Sequence, residues 1–90
     1  MNKLNPKQLQ KLILEKYRNF IKINNGELAL MSDVSLETFR KTIKGNVTNL
    51  SVMGVLYEEF QKVEEWKGKM PKDLKDLFHS LGFTNSLVKQ

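Results

Sequence analysis

The segment Gly26–Gly45, GELALMSDVSLETFRKTIKG, constrains the fold of this chain more than any other part of its sequence. We expect a short helix, a tight turn of about three or four residues and a second helix of about ten residues. Ala29 lies in the first helix, where its small side chain allows the second helix to approach closely. Val34 fills the turn, and Ser35 caps the second helix with its hydroxyl. The segment therefore predicts two helices that pack together across a short connection.

The second helix of this segment has one apolar and one basic face. Phe39 and Ile43 recur at helical spacing and are predicted to point into the core. Arg40, Lys41 and Lys44 are predicted to point toward solvent. An exposed row of cations on a short helix is a candidate surface for an anionic partner, although such a row is also common on helices with no partner.

Apolar residues at helical spacing predict helices along the rest of the chain. The first helix opens at Asn5-Pro6 and is expected to reach Ile23, with an apolar stripe of Leu9, Leu12, Ile13, Tyr17, Phe20 and Ile21. The second and third helices, those of the segment 26–45, are expected over about 27–32 and 36–44. A fourth helix, capped by Asn49 or Ser51, ends near Trp66 and has an apolar face of Val52, Leu56, Phe60 and Val63. The sequence carries no alternating strand pattern. We expect an all-α fold of about five helices in one domain over residues 1–90, with its core in 6–66 and a C-terminal helix at 71–82.

Composition limits the class of protein further. Ninety residues allow one small domain, and the absence of cysteine excludes disulfides. The first residues contain no apolar run of the signal-peptide type, and no segment is apolar enough for a membrane span, so we expect a cytoplasmic protein with no membrane partner. The net charge of +5 is compatible with a polyanionic partner such as nucleic acid.

Six positions carry a resemblance to a known family: Ala29, Val34, Ser35, Thr38, Phe39 and Gly45. In this pattern the segment resembles the Cro-repressor or lambda-repressor-like (XRE-like) helix-turn-helix family. The resemblance implies a small helical bundle that binds double-stranded DNA as a repressor-like transcriptional regulator of phage or bacterial type. It also implies a recognition helix over about 35–44 in the major groove, and binding to two half-sites as a dimer.

The chain departs from that pattern at three positions. Asp33 replaces the usual turn glycine, and we expect it to tolerate the left-handed backbone conformation there. Ser32 replaces an aliphatic residue at the end of the first helix, and Met31 is expected to fill its space. Thr42 replaces a larger aliphatic residue, so the core contact is expected to be weaker or to move to Ile43.

The resemblance also implies a set of DNA-contacting residues. Its base-reading positions are the first exposed residues of the recognition helix and its cations, namely Ser35, Leu36, Glu37, Thr38, Arg40, Lys41 and Lys44. Small polar residues at helix ends are candidates for phosphate contacts, namely Asn25, Gly26, Asn46 and Thr48. If Leu36 belongs to the core instead, the base-reading face consists of Glu37, Arg40, Lys41 and Lys44.

Other readings of the sequence remain open. The stripe Leu74, Leu77, Phe78 and Leu81 serves either as a homodimer interface or as packing against the first and fourth helices. The lone His79 and the sequential acidic pairs offer neither a metal site nor a catalytic arrangement, so we expect no cofactor, no metal and no enzyme activity. The alternative function is a helical protein–protein interaction module, or an antitoxin-like protein that binds a protein partner.

Overall fold

The computed structural model describes residues 4–84 and is all-α over that range. Its five helices are α1 (Pro6–Tyr17), α2 (Asn25–Met31), α3 (Leu36–Ile43), α4 (Leu50–Gln61) and α5 (Lys72–Ser80). The predicted helix class is therefore confirmed, and no strand occurs between residues 4 and 84. Residues 1–3 and 85–90 of the predicted domain lie outside the described range. No described helix combines the length and the apolar character that crossing a membrane requires.

The first helix begins as predicted but ends early. Asn5 and Gln8 form a reciprocal capping box around Pro6. The helix stops at Tyr17 rather than at Ile23, and a short 3-10 helix, Arg18–Phe20, follows it. The prediction failed because the Arg18 guanidinium donates to the backbone oxygens of Ile21 and Ile23, at 3.2 and 2.8 Å. These bonds stabilise a non-helical backbone in a segment that has no obvious helix breaker.

The face that α1 turns to the core also differs from the prediction. Leu9 and Leu12 are exposed, whereas the buried residues of the helix are Gln10, Ile13, Leu14 and Tyr17. These four follow the i, i+3, i+4, i+7 spacing of one helix face. The assigned stripe was therefore partly wrong, because the true face includes a polar residue.

The fourth helix matches its predicted face and stops short of its predicted end. Val52, Leu56, Phe60 and Val63 are buried as expected, and Asn49 rather than Ser51 provides the cap. The helix stops at Gln61, and Glu64–Trp66 form a separate 3-10 helix. A Cβ atom added at Gly54 would make an ordinary contact of 3.4 Å with the ring of Phe83, which packs over this glycine.

The C-terminal helix packs onto the core of its own chain. It covers Lys72–Ser80, which is shorter than the predicted range 71–82. Leu74, Leu77 and Phe78 are buried within the single chain, and only Leu81 stays half-exposed. Three of the four stripe residues are therefore packing surface within the chain, and a homodimer through this stripe could use only the half-exposed Leu81 without uncovering the others.

Helix α5 is tied to α1 by a polar contact. The Tyr17 hydroxyl donates to Asp73 Oδ1 at 2.7 Å, and Lys16 Nζ lies 3.2 Å from Asp73 Oδ2. Burial alone would raise the pKa of Asp73, but the hydrogen bonds from Tyr17 and Lys16 outweigh it and lower that pKa below its ordinary value. The carboxylate therefore stays ionised at neutral pH and joins the two helices.

Candidate nucleic-acid interface

The connection between α2 and α3 is a tight turn held by backbone and side-chain bonds. The backbone N–H of Val34 donates to the Ala29 carbonyl at 3.1 Å. Asp33 has a φ of 59°, so the left-handed conformation expected for it is confirmed. Ser32 is buried because its hydroxyl donates to the Leu28 carbonyl at 2.8 Å, whereas Met31 is exposed. The expectation that Met31 replaces Ser32 in the core was wrong, since the hydroxyl finds a partner there.

Ser35 caps α3 as predicted. Its Oγ accepts a hydrogen bond from the Thr38 backbone N–H at 3.1 Å and donates to Thr38 Oγ1, also at 3.1 Å. Ser35 is exposed and Thr38 is half-buried. Both hydroxyls are therefore engaged in capping α3, and these bonds hold them in fixed orientations.

The outward face of α3 consists of charged residues. Phe39 and Thr42 are buried, Leu36 and Ile43 are half-buried, and the exposed side chains are Glu37, Arg40, Lys41 and Lys44. This matches the orientation in which Leu36 turns toward the core. Thr42 stays fully buried because its hydroxyl donates to the Thr38 carbonyl at 3.1 Å, so its core contact has not moved to Ile43.

The charges on this face are unevenly paired. Lys41 Nζ lies 3.5 Å from Glu37 Oε2, and both side chains are largely exposed. Such a pair contributes little to stability, but it places a carboxylate beside one of the cations. Within residues 4–84, no carboxylate forms an ion pair with Arg40 or Lys44. Arg40 and Lys44 are therefore the cations of α3 best placed to meet an anion.

Helix α3 ends in a glycine turn that contacts α1. The Asn46 N–H donates to the Lys41 carbonyl at 2.9 Å and the Gly45 N–H to the Thr42 carbonyl at 3.1 Å, the two bonds of a Schellman motif. Gly45 has a φ of 79° and is buried. A Cβ atom at Gly45 would overlap the carbonyl oxygen of Lys7. The end of α3 is thus fixed directly against the backbone of α1.

A buried glutamine on α1 holds the segment that follows α3. Gln10 Nε2 donates to the backbone oxygens of Thr42 and Val47, at 2.8 and 2.9 Å. Gln10 Oε1 accepts a bond from the Thr48 hydroxyl at 2.7 Å. Thr48 is exposed, but its hydroxyl proton is already donated to Gln10, which disfavours Thr48 as a donor to a phosphate. Asn46 is exposed as well. Gln10 is not among the residues predicted from the sequence, where its only signal is its place in the i, i+3, i+4, i+7 set.

The start of α2 is oriented by an arginine from the segment after α1. Asn24 caps the helix by accepting from the Glu27 N–H at 2.8 Å. Asn25 is half-buried, and its Oδ1 accepts from Arg18 Nε at 2.9 Å. This bond leaves the Asn25 amide group as a donor for a partner. Arg18 was also missed, because nothing in its sequence context marks it as a positioning residue.

Gly26 lies in α2 at a position where the fold does not require glycine for steric reasons. Its φ is not positive, and an added Cβ would make only an ordinary contact of 3.5 Å with Asn24 Oδ1. It is exposed in the first turn of α2. A glycine at such a place lets another molecule approach the backbone closely.

The predicted contact residues thus occupy three sites: the start of α2, the outer face of α3, and the segment that joins α3 to α4. The first two belong to helices that pack on each other. The third is held by Gln10 next to the end of α3. Comparison of the chain with protein-family models, with curated proteins and with solved structures finds no match.

Proposed function

We propose that this chain binds double-stranded DNA as a repressor-like regulator, with α2 and α3 acting as a helix-turn-helix and α3 entering the major groove. The observation that carries this proposal is the division of α3. Phe39 and Thr42 fix the helix in the core, while Arg40 and Lys44 project from its outer face with no ion-pair partner in residues 4–84. A rigid helix with free cations on one side suits a groove lined by acceptor atoms and phosphates.

The start of α2 supplies the second part of the interface. Its backbone N–H groups and the Asn25 amide are donors at the positive end of a helix, which suits a phosphate group. Gly26 allows the phosphate to approach the backbone because no side chain intervenes. Arg18 holds Asn25 in place through its Oδ1. In this proposal α3 reads the bases, and the start of α2 sets its position on the duplex.

The proposal is tested with the double variant Arg40→Ala, Lys44→Ala. We expect its affinity for a pool of random-sequence duplexes to fall at least about tenfold, and the slope of log affinity against log salt to become shallower by about two. Fluorescence anisotropy of labelled duplexes at several salt concentrations measures both quantities. Circular dichroism is expected to show an unchanged fold, because both side chains are exposed.

The matched control is Lys69→Ala, Lys75→Ala, which removes the same charge from two exposed lysines outside α2 and α3 that form no ion pair within residues 4–84. This control is expected to keep most of the affinity. An equal loss in both double variants would mean that only net charge attracts DNA. No binding by the folded wild type at low salt would exclude the proposal altogether.

Removing the carboxylate on α3 is expected to strengthen DNA binding. Glu37→Gln eliminates a negative charge from the proposed interface and frees Lys41 from its 3.5 Å ion pair. We expect affinity at low salt to rise about threefold to tenfold, and the gain to shrink as salt increases. Glu58→Gln, an exposed position on α4, provides the charge-matched control in the same anisotropy assay. If both variants raise the affinity for DNA equally, Glu37 is not part of the interface.

A protein-binding role is the second candidate function, and exposed apolar side chains favour it. Leu30 is 79% exposed at the end of α2, and Leu50 is 57% exposed at the start of α4. This role would be supported if the folded wild type does not bind DNA at low salt but does bind a protein partner. The variant Leu30→Asp should then lose that partner. Leu77→Asp is unsuitable for that test, because Leu77 is buried and the change would unfold the chain.

A further inference from the structure

A cleft of about 610 Å³ lies between the end of α4, the connection 66–70 and α5, and none of its lining residues belongs to the proposed interface. Its apolar lining includes Tyr57, Phe60, Trp66 and Met70. Trp66 is half-buried: its ring stacks on Phe60 at 5.8 Å between centroids, and part of its surface stays accessible. The volume falls within the range of small-molecule sites, and the lining offers aromatic surface for a ring to pack on.

The charged groups of the cleft all have the same sign. Lys69 and Lys75 are exposed side chains that line it, together with His79. No carboxylate of residues 4–84 is part of this lining. In addition, neither lysine forms an ion pair within that range. An apolar cavity with a purely cationic edge selects a ligand that is apolar at one end and anionic at the other.

The backbone that forms one side of the cleft is held in an uncommon conformation. Lys67 has a φ of 48° and Gly68 a φ of 83°, two successive left-handed residues. Lys67 is the left-handed cap of the 3-10 helix Glu64–Trp66, and its backbone N–H donates to the Glu64 carbonyl at 3.0 Å. The Lys69 N–H also donates to the Trp66 carbonyl at 2.8 Å. These backbone bonds fix the connection from which Gly68 and Lys69 line the cleft.

We propose that this cleft binds a small aromatic carboxylate, with the ring packed against Trp66 and the carboxylate paired with Lys69 and Lys75. The aromatic lining supplies dispersion and hydrophobic contact for the ring. The two ammonium groups supply charge-assisted hydrogen bonds to the carboxylate oxygens. Neither group belongs to α2 or α3, so this site does not depend on the proposed DNA binding.

The test uses 3-phenylpropionate as the probe and nuclear magnetic resonance as the readout. Trp66 is the single tryptophan, so its indole N–H gives one unambiguous signal in a nitrogen–proton correlation spectrum. We expect this signal and the backbone signals of Gly68, Lys75 and Thr84 to shift with a dissociation constant of about 1 mM or tighter. Two matched compounds separate the contributions: 3-phenylpropanamide lacks the charge, and propionate lacks the ring. Both are expected to bind several times more weakly.

Variants assign the charge to particular residues. Lys69→Gln, Lys75→Gln is expected to weaken 3-phenylpropionate binding about fivefold and to leave the amide unaffected. Lys62→Gln, Lys72→Gln removes the same charge outside the cleft and is expected to leave both compounds unaffected. The proposal is overturned by unshifted signals up to about 10 mM probe, which corresponds to negligible affinity. It is also overturned if 3-phenylpropionate and 3-phenylpropanamide bind equally well. The same holds if the shifted signals centre on Leu50 and Val55, which lie outside the cleft.

Discussion

Replacing Gly45 with alanine is expected to lower the free energy of unfolding by at least about 3 kcal/mol. Two separate effects add at this position. The φ of 79° is unfavourable for any residue with a Cβ. The Cβ would also overlap the carbonyl oxygen of Lys7 and lie 3.1 Å from Lys11 Cβ, so α1 and the end of α3 would have to separate. Urea denaturation followed by circular dichroism measures the change.

Gly82→Ala is the matched control for this prediction. Gly82 has a similar φ of 94°, but an added Cβ would meet no atom within 4 Å. Its replacement is expected to cost only about 1 kcal/mol, the conformational part of the effect. The difference between the two variants isolates the close approach of α1 to α3. If both variants lose the same free energy of unfolding, crowding at Gly45 does not contribute to the effect.

Gln10→Leu is expected to destabilise the fold by about 2–4 kcal/mol, although leucine is the more apolar residue. The replacement removes three hydrogen bonds and leaves the Val47 carbonyl and the Thr48 hydroxyl without their partner. It also frees the connection between α3 and α4, which Gln10 alone ties to α1 through side-chain bonds in residues 4–84. Urea denaturation gives the energy, and amide hydrogen exchange at Asn46 and Val47 reports the loosened segment.

Thr48→Val is the comparison for Gln10→Leu. It removes only the 2.7 Å bond from the Thr48 hydroxyl to Gln10 and keeps the two bonds to backbone oxygens. We expect a loss of about 1 kcal/mol, the usual net value of one hydrogen bond. If the two variants lose the same stability, the bonds from Gln10 to the backbone do not hold the connection.

The helix pair around Gly26–Gly45 could be predicted closely because its signals are local. At three positions the residue type suits the local backbone. Ser35 caps α3 with its side chain, Asp33 tolerates the left-handed turn, and Gly45 ends the helix with a positive φ. The predicted third helix, about 36–44, agrees with the observed Leu36–Ile43 to within one residue. Local chemistry of this kind needs no knowledge of the remaining chain.

The orientation of α1 could not be predicted in the same way, because it depends on partners far along the chain. Gln10 is buried only because backbone oxygens of Thr42 and Val47 receive its amide. Helix periodicity ranks residues by apolarity, so it favoured Leu9 and Leu12, which the structure leaves exposed. The end of α1 was predicted too late for a similar reason, because the bonds from Arg18 to the backbone oxygens of Ile21 and Ile23 leave no signal in helix periodicity.

The tie between Tyr17 and Asp73 has a consequence for the order of folding. It joins residues 56 positions apart, whereas the bonds that shape α2, α3 and their turn span a few residues. Closing so long a loop costs conformational entropy that local contacts do not require. We therefore expect the unit of α2 and α3 to form early, and α5 to dock late on α1. The cleft beside Trp66, which needs α5, would then be the last part of the molecule to be assembled.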